Sequence, residues 1–369
     1  MYSLMEVNLN NINHNVNEIK KRVDKNVTII PMVKADAYGL GDIGIIKYLK
    51  EAFNISIFGV ATIEEAIRLR KNKIKDEIIV FGQFIEKEIK DILKYNLTVS
   101  LSNIKIAEVL NKKAKNCKVK VHLKIDTGMS RLGFKYDTNN EIFNHITNDL
   151  ENLQIEGIFT HLSSADTNEK YTLLQLERFD NLVKSINYNF KYIHALNSCG
   201  IISYPKYQYN AVRPGIVLYG YLPNNNLKDK IDLKPSVKIT AKITSIKNIT
   251  KGTPVSYSNT FTAKEDMKIA TVQMGYADGL SRLLSNNYSV KYMNKKCKII
   301  GKICMDMCMI DISKIDNPKE GDYVTVIDFD NSVDVIAKKL KTINYEVISM
   351  FRNRVKKVYR LNKKIYKVW

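Results

Sequence analysis

Between residues 27 and 220 the chain alternates short apolar runs with amphipathic stretches, and this rhythm limits the folds open to it. The runs are VTIIPMV (27–33), ISIFGVA (55–61), EIIVFG (77–82), LTVSL (97–101), VKVHLKI (119–125), IEGIFT (155–160), YIHAL (192–196) and AVRPGIVLYG (211–220). They are rich in β-branched residues and mostly lack polar alternation, as strands buried on both faces do. Helical spacing appears between them in IGIIKYLKEAF, EEAIRLRK, IAEVLNKKAK and YTLLQLERFDNLVKSI. Thr62 with Glu65 three positions on is a capping-box pair. Eight strands, the first seven each followed by a helical stretch, predict an α/β chain with an N-terminal (β/α)8 TIM-like barrel over residues 8–230. The eighth helix has the weakest signal.

After Asn224-Asn225-Asn226 the pattern changes. PSVKITAKITSIKNI, MKIATVQMGYA, SVKYM, CKIIGKI, MCMIDI and YVTVIDF are strand-like and punctuated by turn residues, with one helical stretch, VDVIAKKLKT. They predict a mainly antiparallel β domain over residues 235–369, to which the chain start (residues 1–7, running into MEVNL) can add a strand.

Composition excludes more than it assigns. No run approaches about 18 apolar residues, so no membrane span is expected. The start shows no basic segment followed by an apolar core, so no signal peptide is expected. The five cysteines are odd in number and lack zinc-type CxxC spacing, which suits reduced core thiols, a cytoplasmic setting and no metal. A net charge of +20 invites a nucleic-acid reading. Yet the lysines are scattered, only RNRVKKVYRLNKKIYK is dense, and no nucleic-acid-binding motif accompanies them. The expectation is therefore no nucleic acid and no membrane partner, with a field that gathers small anions.

In a barrel of this kind the chemistry lies where strands end. Lys34 ends the first run, Lys124 the fifth, with Arg131 on the following loop. His161 ends the sixth, Asn197-Ser198 the seventh, and Arg213 lies in the eighth. Ser198 and the backbone around Gly215 and Ile216 suit a phosphate, because glycine lets backbone approach an anion closely. A phosphate cradle with a strand-end lysine suggests pyridoxal phosphate, whose aldehyde a lysine amine can join. Tyr38, four residues after Lys34, is placed to reach that phosphate.

VKADAYG, VATIEEAIRLR, HLKIDTGMSRLGF, FTHLSSAD, VRPGIVLYG, VSYS, GYADG, GKICMDMCMID and INYEV together resemble, in order and spacing, the alanine racemase family. The resemblance covers nearly the whole chain. It implies a pyridoxal 5'-phosphate enzyme of fold type III, a homodimer with each site shared by two subunits. The activity implied is interconversion of L- and D-alanine, supplying D-alanine for peptidoglycan. Lys34 matches the cofactor-binding lysine and one catalytic base, and Tyr257 the second base, donated by the partner copy. His161 matches the histidine near the cofactor ring, and Arg213 the arginine at the ring nitrogen. Tyr38, Ser198, Gly215 and Ile216 match phosphate contacts. Arg131 matches the residue beside the cofactor phenolic oxygen and the substrate carboxylate, and Met305 and Asp306 match positions on the partner copy's side of the substrate pocket. Lys124 matches a lysine that is often carbamylated, and Tyr276, Arg282 and Asp166 the lining of the substrate approach.

Two bases follow from the chemistry: one base favours retention, so inversion needs a proton acceptor on each face. Four positions depart from the family pattern: Leu40 for histidine, Ser130 for glycine, Lys302 for arginine, and Asn353 where some relatives carry tyrosine. A smaller amide at 353 makes room for a β-hydroxyl, which extends the expected substrates to serine. A serine racemase and a broad-specificity amino-acid racemase are the alternatives. A lone pyridoxal phosphate-binding barrel lacks the β domain. A basic amino-acid decarboxylase needs a glycine-rich phosphate loop and a cysteine motif that are not found.

Overall fold

The computed structural model describes residues 2–115, 117–328 and 333–368. Two compact units divide the chain: Asn13–Ala37 with Ile45–Lys234, and residues up to Ile12 with Tyr38–Gly44 and the chain from Pro235 onward.

In the first unit, eight parallel strands close a barrel among the described residues: Thr28–Ile29, Ile57–Val60, Glu77–Val80, Thr98–Leu101, Val119–Asp126, Leu153–Phe159, Tyr192–His194 and Ala211–Val212. Closure is made by few bonds. Ala211–Val212 pairs with Thr28–Ile29, Met32 bridges Gly59, and the Arg213 N–H donates to the Leu196 carbonyl at 2.9 Å. Ile30, Ile57, Ile79 and Ala211 pack together inside, with Phe81 and Tyr192 against them. The Thr62–Glu65 capping box is present and opens the helix Ile63–Lys71.

Two features differ from the sequence reading. The expected strand 211–220 ends at Val212. Pro214 has no N–H for a ladder, Gly215 turns the backbone (φ −120°, ψ −101°), and Ile216–Tyr219 forms a 3-10 turn instead. No full helix follows; Asn225–Lys230 is another 3-10 segment. The helix Leu9–Lys20 was not expected, because asparagines mask the apolar spacing of Leu9, Ile12, Val16 and Ile19, all buried. Within the barrel unit its Asn15 amide donates to the carbonyls of Leu218 and Lys234, at 3.2 and 2.9 Å.

In the second unit, nine strands form one sheet among the described residues. Six of them close on themselves. The strand Val237–Ile249, shifted in register between Ile243 and Ser245, pairs antiparallel with Tyr323–Ile327 and with Met267–Val272. Ser289–Tyr292, Lys295–Ile300 and Cys308–Asp311 complete the ring. Ser3–Asn8 pairs antiparallel with Val237–Ala241 and parallel with Lys356–Arg360. The basic C-terminal stretch, read only as a charge run, is a hairpin of Lys356–Leu361 and Lys364–Val368. Its turn residues Asn362 and Lys363 have φ of 51° and 63°, the type I′ sign that matches strand twist. Among the described residues, no helix is long and apolar enough to cross a membrane.

Candidate active site

Lys34 stands where the first barrel run ends, and the chain after it turns the wrong way for L-residues. Ala35, Asp36 and Ala37 have φ/ψ near 52°/47°, 56°/47° and 52°/50°, and Tyr38 has φ 56°. Each left-handed residue costs about 1–2 kcal/mol, so the turn must be held. Glu65 holds it: one carboxylate oxygen accepts from the Ala35 N–H at 2.6 Å and the other from the Ala61 N–H at 2.7 Å. Arg68 pairs with Asp36 at 3.3 Å, and the Ala37 N–H donates to the Val33 carbonyl at 2.8 Å. The capping box was legible in the sequence; its second task was not.

Burial, then the charges of Arg131 and Arg213, pulls the Lys34 amine below the usual lysine range, against a partial upward pull from Glu65. Lys124 is buried, with its Nζ 4.8 Å from the centre of the Phe159 ring, and burial plus the same arginines holds its pKa far below normal. Arg131 is exposed on a loop pinned by Asp126, whose Oδ1 accepts from the N–H groups of Gly128, Met129 and Ser130 at 2.9, 3.0 and 3.0 Å. Ser130 sits at φ 56°, which explains why glycine suits this position. Burial and the charges of Arg213, Lys124, Arg131 and Lys34 keep His161 neutral. These side chains therefore share one cationic neighbourhood at the barrel mouth.

Arg213 is buried, and burial pulls it to about 9. Its Nη1 meets His194 Nδ1 at 2.5 Å and the His194 carbonyl at 2.9 Å; its Nη2 donates to the carbonyls of Thr160 at 2.7 Å and Ala195 at 3.1 Å. Among the described residues no hydrogen bond takes its Nε–H. Ser198 Oγ accepts from the Gly215 N–H at 2.8 Å, tying the two loops together. Ser198 and Ile216 each open a helical turn, where the first amides have no acceptor within the helix. Asp166 offers its carbonyl to the Asn224 side chain at 3.3 Å.

The other expected site residues lie in the β unit. Tyr38 is buried with its ring centre 6.0 Å from that of Tyr345. Tyr257, 66% exposed, shares a concave pocket with Ser256, Cys304, Met305 and Asp306. Its turn is strained: Ser256 has φ 67° with ψ −172°, and Ser258 and Asn259 have φ 61° and 46°. Lys302 braces it, its carbonyl accepting from Ser256 Oγ at 2.6 Å and its Nζ donating to Ser258 Oγ at 3.3 Å. Tyr276 and Arg282 each open a 3-10 turn. Asn353 is in an exposed turn; its neighbour Arg354 pairs with Asp306 at 2.7 Å and Asp278 at 3.3 Å.

The barrel residues fit pyridoxal phosphate. The donor set is what a phosphorylated pyridine aldehyde requires: an amine with depressed pKa, an arginine with an uncommitted Nε–H, and amides opening two turns joined through Ser198 and Gly215. No cluster of histidine, cysteine or carboxylate suited to a metal occurs among the described residues.

The comparisons with known proteins agree. The alanine racemase N-terminal domain family matches residues 7–223 and the C-terminal domain family residues 236–359. Alanine racemase 1 of Caldanaerobacter subterraneus subsp. tengcongensis is 37% identical over 366 residues, covering 96% of this chain and 94% of that protein. The structure of alanine racemase from Clostridium difficile superposes with a TM-score of 0.96 at 33% identity, over 100% of this chain and 98% of that one. The Bartonella henselae alanine racemase, solved with covalently bound pyridoxal phosphate, gives 0.84 at 28% identity, over 98% of this chain and 100% of its own. The chain thus belongs to the alanine racemase family, the pyridoxal phosphate-dependent amino-acid racemases.

Proposed function

We propose that this protein interconverts L- and D-alanine by a two-base mechanism, as a cytoplasmic homodimer that supplies D-alanine for peptidoglycan. The observation that carries the reading is the Lys34 amine, set among cations on a turn the fold holds at a cost. Bound there, pyridoxal phosphate supplies an electron sink when the α-proton leaves. Lys34 holds the cofactor and moves the proton on one face of the substrate. Tyr257 of a second copy serves the other face; its exposure and braced turn suit a group presented outward. Tyr38, Ser198, Gly215 and Ile216 hold the phosphate, and His161 lies by the ring.

Arg213 meets the ring nitrogen. A guanidinium only donates hydrogen bonds, so it leaves that nitrogen without a proton, which limits charge spread into the ring and disfavours transamination. Arg131, together with Met305 and Asp306 of the second copy, orients the substrate. Lys124, a buried amine whose charged form is disfavoured by burial and by the nearby arginines, adds carbon dioxide with loss of a proton; the carbamate anion so formed holds Arg131 in place. Asn353 admits serine beside alanine.

The test is chiral chromatography of L-alanine incubated with the cofactor-loaded protein. D-alanine should accumulate to equimolar balance, and Lys34→Ala and Tyr257→Phe should each slow conversion by about 10²–10⁴-fold. Wild type that makes no D-alanine overturns the reading.

A further inference from the structure

The geometry points to His122 as a positioning residue for Arg213, acting through His194, with Gly157 kept small to admit the His122 ring. This rests on the reading of Arg213 as the group at the cofactor nitrogen. Arginine cannot accept a hydrogen bond. With Arg213 Nη1 2.5 Å away, His194 Nδ1 is therefore the acceptor, and the His194 proton is on Nε2. That Nε2 lies 2.9 Å from His122 Nδ1, which must accept in turn, so His122 also carries its proton on Nε2. One cation thus fixes the tautomer of two buried imidazoles in series. Phe159 stacks on the His194 ring (centres 5.0 Å apart, 4° between planes) and Tyr192 on the His122 ring (5.7 Å, 19°).

The relay ends badly for stability. His122 Nε2 is buried with no hydrogen-bond partner, and an orphaned buried donor is destabilising. Barrel interiors are ordinarily filled by branched apolar side chains, which carry no such penalty. A histidine here is useful for the one atom that is engaged, its Nδ1.

The surrounding sheet independently makes room for it. Gly157 faces His122 across the fifth and sixth barrel strands, next to a register shift between Val121 and His122. A Cβ on residue 157 would lie 2.6 Å from His122 Cε1 and 2.9 Å from the Tyr192 carbonyl. With His194 saturated from behind, Nη1 and Nη2 of Arg213 are fully committed and Nε–H is the group left for the ligand.

The test uses three variants of the full chain, labelled with 15N at histidine. His122→Phe keeps a ring without an acceptor, His122→Gln restores a side-chain acceptor, and Gly157→Ala displaces the ring while leaving the histidine. Histidine nitrogen shifts are recorded with and without pyridoxal phosphate, alongside the absorption of the bound cofactor across pH and the kcat and KM for alanine. Wild-type His194 should be protonated on Nε2 alone. The Phe and Ala variants should leave the His194 Nε2–H without its acceptor and shift that nitrogen's signal, shift the cofactor band and drop kcat about tenfold with KM nearly unchanged; Gln should restore all three. Equal behaviour of Phe and Gln, or a wild-type proton on His194 Nδ1, overturns the proposal. If His122→Phe does not fold, Gly157→Ala against His122→Gln decides it by the same readouts. Failure of the cofactor to bind would sink the functional reading instead, and the nitrogen shifts of the cofactor-free chain would still judge the relay.

Discussion

The Glu65 carboxylate accepts the backbone N–H of Ala35 at 2.6 Å, one residue beyond Lys34, while its other oxygen closes the cap of its own helix, Ile63–Lys71. One side chain therefore sets both where a helix begins and how a reactive amine is aimed. Glu65→Gln has one acceptor oxygen for both tasks. It should lower stability by about 1–2 kcal/mol in urea unfolding and reduce the yield of cofactor fixed to Lys34 by borohydride. Unchanged fixation would show that the turn holds without Glu65.

The turn itself was not legible. KADAY contains no glycine and reads as the start of a right-handed helix, whereas its left-handed form depends on Glu65 and Arg68 arriving from another element. Lys34, by contrast, does follow the first apolar run as its pattern indicates, although the regular strand covers only Thr28–Ile29 and Met32 adds a single bridge beyond it. The C-terminal hairpin was hidden for a packing reason: Lys357 is buried on the same side as Tyr359, so inward positions do not read as apolar. Lys302 was noted only as a departure from the family; that it ties both serines flanking Tyr257 depends on contacts made across the fold.

Ser130 pays a steric cost at φ 56° on the loop carrying Arg131. Ser130→Gly should stabilise the protein by about 0.5–1 kcal/mol. The Asp126 bonds are to backbone N–H groups and persist in the variant. Thermal unfolding of the two proteins side by side checks this; a lower midpoint for the glycine form contradicts it.

Acid should act through His122. Burial, then the charges of Arg213, Lys191 and Lys120, holds it down to about 3, against about 6.5 in an unfolded chain. Between those values the unfolded state takes up a proton that the folded state refuses. Stability from this group is whole above about pH 6.5 and falls as pH drops toward 3, by at most about 1.4 kcal/mol per pH unit. Urea unfolding from pH 6 to pH 4 should be flatter by up to that slope in His122→Phe. Parallel slopes would mean that His122 is protonated in the fold.

Asn353 lies beside Arg354, which is anchored to Asp306 and Asp278, so the backbone at 353 is held while its side chain is exposed. Asn353→Tyr should lower kcat/KM for L-serine relative to L-alanine by about tenfold, the scale of losing a hydrogen bond together with the space for a hydroxyl. An unchanged ratio removes residue 353 from substrate choice.

The claim on which the mechanism turns is that the amine and the phenol come from different copies of the chain. Lys34→Ala and Tyr257→Phe variants, each inactive alone, can be mixed, dissociated and reassembled. A mixed dimer then has one site with both groups and one with neither, so racemisation should return to about a quarter of wild type in an equal mixture. No recovery, with mixed dimers shown to form, would place Lys34 and Tyr257 of one site on the same chain and contradict the account.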